Sequence, residues 1–442
     1  MRKQTAQSSH RDRLKIGYIA SHLYRHTFEI NEVAELLRQR PGTRIYSFYR
    51  PGRSRKIQLG RVNEITGEIV TWSYGSILRS FVELCLNSPI KMANGAAQLA
   101  WRSKSNPVYW IKNLIVFFVA LPLLADARRH GLTHLHANFG SSPATIAWLG
   151  RKMLGTGMSI RYHSFDIHLN TIGWRDPLRY LKLRDADLVL AVHYDGIGHL
   201  KQKVPDVADD KFGVIRVGVA FDPEPKREES SEPPLVLAAG NLVPAKGFDI
   251  LVRAVGILKK RGMDVRLRIL GEGPERTHLA SMIRENDIGD RTEMPGYYQH
   301  EEFAHHLAEA VMLVVPATIT GTGVREGLPT VLVEAWLAST PVIAAPIGGI
   351  PEVVENEKTG LVFSPGDAQA LADCIDQLVH SPELREKLAR NGRGHARELF
   401  SLEENVRKLV EEIEPVYDAP AEPTAPSYPE LGIEAAEGGS PL

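Results

Sequence analysis

Short apolar runs that end in polar or glycine residues, each followed by an amphipathic stretch at helical spacing, recur on both sides of a polar break, FDPEPKREESSEPP, at 221–234. Parallel strands need long crossovers, usually helices, so this alternation reads as parallel α/β sheet. Before the break, LKIGYIAS, RIYSFYR, HLHANF, SIRYHSF and DLVLAV have strand character and FEINEVAELLRQR reads as helix. After it, PLVLAAG, VRLRILG, AVMLVVPA and PVIAAP are strands and DILVRAVGILKKRG is a helix. A chain of 442 residues exceeds the size at which one core stops growing. Two α/β domains are therefore expected, 14–220 and 235–395, with 221–234 as linker. The helical stretch that follows should close with a C-terminal helix, 396–417, crossing back onto the first domain. Residues 1–13 lack the apolar segment of a secretory signal and read as a disordered lead-in. The acidic, proline-rich 418–442 reads as a disordered tail.

The balanced net charge conceals an asymmetry. Residues 1–220 carry 32 Lys and Arg against 16 Asp and Glu, the remainder 21 against 37. A basic first half suits an anionic partner, either a phosphate-bearing acceptor or an anionic membrane surface. The most apolar run, Leu114–Ala125, is shorter than a bilayer span and contains Pro122, so a buried helix is expected. Cys85 and Cys374 are too few and too distant for a disulfide framework or a zinc site, which points to a reducing, cytoplasmic setting.

A strand, a glycine turn and a helix start together present free N–H groups to a phosphate. The second region offers this twice. In AAGNLVPAKGF, Lys246 can set a cation against phosphate oxygens after Gly240 and Asn241, without the spacing of a Walker loop. In GTGVREGLPTVLVEAWLA, Gly321, Gly323 and Gly327 lead into a helix opened by Pro329 and Thr330. Glu326 precedes that helix and Glu334 lies more than a turn inside it, so one carboxylate can take hydroxyls of a ribose and the other those of a sugar. Two glutamates eight positions apart arise by chance, and the glycines, proline and apolar run around them carry the signal.

The ordered motifs HTFEINEVAEL, HLHANF, RYHSFDI, RDADLVLAV, GNLVPAKGF, GEGPER, EGLPTVLVEA and GGIPEVV resemble those of the retaining glycosyltransferases of family 4, the group 1 glycosyltransferases, over roughly residues 14 to 415. The first three look most like the subgroup that builds bacterial exopolysaccharides. The resemblance implies an α/β fold in the GT-B arrangement: two Rossmann-like, doubly wound parallel-sheet domains with an interdomain cleft. It also implies a nucleotide-diphosphate sugar as co-substrate, no metal and no other cofactor. Glu326 then matches the acidic residue near the transferred sugar, Glu334 the one that holds the ribose, and Lys246 the lysine on the diphosphate. His163 matches a first-domain histidine over the donor sugar, with Asp166 at the usual spacing. Gly327 and Leu328 match backbone donors, and Gly271 and Gly273 the turn near the nucleotide. Where relatives have arginine this chain has Asn241, and Arg325 is expected to supply the missing cation. Asn138 and Arg161 replace a histidine and a threonine, so they are assigned with His136 and Asp166 to the acceptor side. The opening loop lacks the paired glycines of many relatives. The expected acceptor is a glycan or polyprenyl-diphosphate-linked sugar met at the inner face of the plasma membrane, with no nucleic acid involved.

Other constellations weigh less. The Asp185-x-Asp187 pair precedes a strand instead of following one, unlike a metal-binding Asp-x-Asp. His134 and His136 share a strand face without a further ligand at metal spacing, and His305 and His306 read as solvent-facing. Gly271 and Gly273 begin a dinucleotide fingerprint whose third glycine is replaced by Arg276. A sugar-nucleotide epimerase of similar fold and a non-catalytic sugar-nucleotide-binding protein remain alternatives.

Overall fold

The computed structural model describes residues 14–21, 23, 27–48, 65, 69–104, 106–168, 176–221, 223 and 233–418. The lead-in, most of the linker and the tail beyond 418 lie outside the described residues.

The first region runs β1 (Ile16–Ala20), α1 (Thr27–Gln39), β2 (Arg44–Ser47), β3 (Ile69–Val70), α2 (Tyr74–Asn87), α3 (Pro89–Ser103), α4 (Pro107–Arg129), β4 (His134–Asn138), α5 (Ser142–Leu154), β5 (Gly157–Tyr162), α6 (Ser164–His168), α7 (Arg179–Asp185), β6 (Leu188–Ala191), α8 (Tyr194–Lys203) and β7 (Phe212–Val214). Its seven strands are parallel in the order β3-β2-β1-β4-β5-β6-β7. The chain reverses direction across the sheet between β1 and β4, and the crevice at their carboxyl ends is where such sheets bind ligands.

The second region runs β8 (Leu235–Ala239), α9 (Phe248–Lys260), β9 (Arg266–Leu270), α10 (Arg276–Glu285), β10 (Thr292–Gly296), α11 (His300–Glu309), β11 (Met312–Val315), α12 (Thr330–Leu337), β12 (Val342–Ala344), β13 (Leu361–Val362), α13 (Ala368–His380), α14 (Pro382–Leu399) and α15 (Leu402–Asp418). Its parallel sheet has the order β10-β9-β8-β11-β12-β13, which repeats the same topology with its switch between β8 and β11. The central strands β8, β11 and β12 are aliphatic throughout, as strands covered on both faces by helices are.

The stretch read as one helix from residue 396 is split. α14 ends at Leu399, and α15 begins after Phe400 and Ser401, where Val219 N donates to Phe400 O at 2.9 Å. α15 lies on the first domain: Val406 and Val410 join Tyr18, Ile30 and Val33, while Leu409 and Ile413 join Ile16, Leu188 and Ile215. The apolar run at 114–125 is also corrected. It belongs to a longer helix, α4, whose residues from Val119 to Ala127 are buried but whose first half exposes Val108, Ile111, Leu114 and Ile115.

Candidate functional site

Two loops of the second domain meet at the switch point. β8 ends at Gly240 and β9 at Gly271; a Cβ on Gly271 would lie 1.9 Å from Gly240 O, so the loops pack backbone on backbone. Gly273 likewise abuts Leu242 O, so these glycines are explained by loop packing. The stem of Lys246 crosses Gly240, and its Nζ reaches Glu326 Oε2 at 2.6 Å. The two residues that head the expected site are therefore partners. Asn241 is exposed beside them, and Leu328 is half-buried against the core. Pro329 occupies the position before the first turn of α12, with its carbonyl accepting from Leu332 N at 3.2 Å, and Thr330 opens the helix. Glu334 is buried in that helix, and burial pushes its carboxyl up to about 7.

The first domain contributes a buried polar network at the ends of β1, β4 and β5. Asn138 Nδ2 donates to Glu29 Oε1 at 3.1 Å, which leaves Asn138 Oδ1 to accept from Arg161 Nε and Nη2 at 2.9 and 2.8 Å. His163 Nε2 lies 3.0 Å from the same oxygen. An acceptor there requires Nε2 to carry the proton, so neutral His163 keeps its lone pair on Nδ1. Arg161 is paired with Glu32, which also accepts from Tyr18 Oη at 2.7 Å. The His163 ring stacks on Phe139 with centroids 4.3 Å apart, and Phe139 itself holds a φ of 150°. Positive φ at a bulky residue is strained backbone of the kind that clusters at functional sites. Asp166 accepts from Gly140 N at 3.0 Å, and burial raises its carboxyl to about 6.

The domains touch where Gly327 and Gly349 meet Ser164 and His193, of which only Gly327 is among the expected site residues. A Cβ on Gly327 would lie 1.7 Å from Ser164 Oγ, and one on Gly349 would lie 2.8 Å from His193 Cβ. Ser164 Oγ is 2.7 Å from His193 Nε2, while His193 Nδ1 accepts from Gly196 N at 2.9 Å. With Nδ1 accepting, neutral His193 donates through Nε2 to Ser164 Oγ. Below this contact Glu352 accepts from Asp195 N at 2.9 Å and from Arg216 at 3.2 Å.

A family model described as Glycosyl transferases group 1 matches residues 221–395. The putative colanic acid biosynthesis glycosyltransferase WcaL of Salmonella typhimurium is 31% identical over 302 residues, 64% of this chain and 71% of that protein. The chain belongs to the group 1 glycosyltransferases. WcaL of Escherichia coli is 30% identical over 259 residues, 58% of this chain but only 61% of the relative's length. Among solved structures, Anabaena Alr3699/HepE in complex with UDP superposes with a TM-score of 0.67 at 17% identity, covering 91% of this chain and all of that one. That likeness speaks to the GT-B fold alone. Group 1 glycosyltransferases use nucleotide sugars, and relatives that bear transferase names do not favour the epimerase or binding-protein alternatives.

Several expectations for this glycosyltransferase need correction. The Arg325 guanidinium is 3.3 Å from His199 Nε2 and 4.0 Å from Asp195 on α8, so it bridges the domains. His136 and Arg161, expected on the acceptor side, have no exposed surface. His136 and His134 instead flank Ser159 Oγ at 2.8 Å each, and burial holds the His136 imidazole well below its usual range. Asp185 is tied to Lys152 and Trp148, and Asp187 to Arg151 and Met158 N, which accounts for the Asp-x-Asp without a metal. Among the described residues no group of three His, Cys, Asp or Glu is placed to hold a metal ion. His306 is half-buried beside Arg268 instead of facing solvent. The missed residues had one shared signal: Ser164 and His193 directly follow strand ends, as ligand-facing residues do in such sheets.

Proposed function

We propose that this chain is a retaining transferase that moves a sugar from a nucleotide-diphosphate donor to a lipid-linked or growing glycan in cell-surface polysaccharide synthesis. The observation that carries this reading is the Lys246 to Glu326 pair, whose neighbour Gly327 is in contact with Ser164, next to His163 of the opposite domain. A donor lying there has its ribose at Glu334, its diphosphate at Lys246 and the α12 start, and its sugar between Glu326 and His163. The acceptor hydroxyl oxygen bonds to the anomeric carbon on the face from which the diphosphate oxygen departs, and the hydroxyl proton passes to that oxygen. Negative charge grows on the diphosphate as its bond breaks, so Lys246 stabilises the transition state more than the ground state. Domain closure excludes water and limits donor hydrolysis. No metal takes part.

UDP is one candidate nucleotide, since the similarly folded Anabaena protein was solved with it, and GDP is the other. The lipid-linked acceptor is supported by the basic first domain and would be met at the cytoplasmic membrane face. A donor-depletion screen of UDP- and GDP-sugars against lipid-linked and free acceptors tests the reading. Donor consumption with a glycosylated product, lost in Glu326→Ala, is expected; nucleotide binding without product across the panel overturns it.

A further inference from the structure

The helices α2, α3 and α4 depart from the pattern of a soluble surface. Seventeen large apolar side chains are exposed among the described residues, and thirteen of them lie between Tyr74 and Phe118. They form stripes at helical spacing: Tyr74, Leu78, Phe81, Val82 and Leu86 on α2; Ile90 and Trp101 on α3; Val108, Ile111, Ile115 and Phe118 on α4. Exposure reaches 83% at Ile90, 73% at Val108 and 66% at Trp101. The inward face of α2 buries only Ser80 and Leu84, so that helix presents more apolar surface to solvent than to the core. The three helices pack against one another, with Arg129 of α4 pairing Glu83 of α2 at 3.2 Å.

The charge around these stripes identifies what covers them. Between 74 and 118 there are five Lys and Arg and one acid, Glu83, which Arg129 neutralises. Arg79, Lys91, Arg102 and Lys104 are exposed, and Lys104 Nζ sits 3.1 Å over the Trp101 ring. Trp101 and Arg102 also line a groove of about 380 Å³ with Ala97 and Gln98. Apolar stripes with tryptophans and a cationic rim are the composition of an interfacial helix on anionic lipid. A second copy docked by the same face would set one cationic rim against another, which disfavours a symmetric dimer there.

We propose that α2, α3 and the first half of α4 dock this enzyme on an anionic lipid bilayer, lying in the interface without spanning it. α4 is long and apolar enough to cross a membrane, with a mean hydropathy of 1.9 over its most apolar window. Crossing is nevertheless ruled out in the folded protein, because Val119 to Ala127 are in the core and Asp126 is bound to Arg44 and Tyr46. The inference gives the lipid-linked-acceptor reading its physical setting, but vesicle binding needs neither donor nor acceptor and is judged separately.

The test is co-sedimentation of the full chain with vesicles of phosphatidylglycerol and phosphatidylcholine, and with phosphatidylcholine alone. The protein should partition to the anionic vesicles and be released by salt. Ile111→Glu/Ile115→Glu and Arg102→Glu/Lys104→Glu should each lower partitioning about tenfold or more. All four positions are exposed, and an unchanged circular dichroism spectrum and melting temperature show that the variants are folded. The proposal is overturned if the parent stays in the supernatant with both vesicle types, or if both variants bind as it does. It is equally overturned if sedimentation velocity finds a dimer that Ile111→Glu/Ile115→Glu splits while no vesicle binding occurs, since a second copy would then be the occupant.

Discussion

Glu334 separates the needs of folding from those of binding, and the separation is measurable. Burial raises its carboxyl from the ordinary 4.5 to about 7. A raised carboxyl favours the folded state fully below the unfolded value, and that contribution is lost as pH rises through the folded one. At about 1.4 kcal/mol per pH unit, the folded protein is destabilised by roughly 3 kcal/mol at pH 8 and by less than about 1 kcal/mol at pH 5. Glu334→Gln keeps the shape and removes the charge. It should therefore raise the melting temperature at pH 8 by on the order of 5–10 °C and change it little at pH 5. The same substitution leaves one acceptor oxygen where a carboxylate takes both ribose hydroxyls, so nucleotide affinity should fall by about 10- to 100-fold. Scanning calorimetry at the two pH values, with titration of UDP and GDP at pH 8, measures both effects. A variant that is less stable at pH 8, or that binds nucleotide as the parent does, refutes the argument.

Lys246→Ala and Glu326→Ala should each reduce turnover at least about a hundredfold, and their double variant should lose less than the sum, because each single change strands its partner across a 2.6 Å pair. Steady-state kinetics on the three proteins checks this, and near-normal rates in both single variants contradict the site. Gly327→Ala places a methyl 1.7 Å from Ser164 Oγ and should hold the domains apart, read as a larger radius of gyration by small-angle scattering and about tenfold or more loss in kcat/KM. Asn138→Ala removes the acceptor shared by Arg161 and His163 and should lower stability by about 1–3 kcal/mol in denaturant unfolding, with nucleotide affinity in the second domain unchanged.

The strands were legible because a parallel sheet covered on both faces demands nearly unbroken β-branched and aliphatic runs, as in Leu235–Ala239 and Met312–Val315. The break at Phe400 was not, since α14 and α15 are both amphipathic and only the crossing between domains interrupts them. Lys246 and Glu326 could be placed near each other from their loops, but their mutual pairing could not. Arg161 reads as a surface side chain by residue type, and only the converging strand ends supply the Glu32 and Asn138 that let it be buried. The partners of Arg325 are illegible for the complementary reason: its sequence neighbour is Glu326, but its spatial partners are on α8 of the other domain.

The same division between local and long-range information explains how the cleft can open. The core of the second domain is built from residues 235–400 and the large core of the first from residues 19–207, and neither crosses the cleft. Among the described residues the contacts that cross it include polar and small groups: Gly327 and Gly349 against Ser164 and His193, Glu352 with Asp195 and Arg216, and Arg325 with His199. Water can replace these contacts, so separation gives up little buried apolar surface, and relative domain motion is the expectation for such an interface. The two chain crossings are adjacent, since Val219 N bonds Phe400 O and Val219 bridges Ser401. Adjacent crossings confine the rotation to one hinge, and α15 remains fixed to the first domain while the second moves. Rotation about that hinge makes or breaks the Gly327 contact with Ser164, and Ser164 is the chain neighbour of His163 as Gly327 is of Glu326.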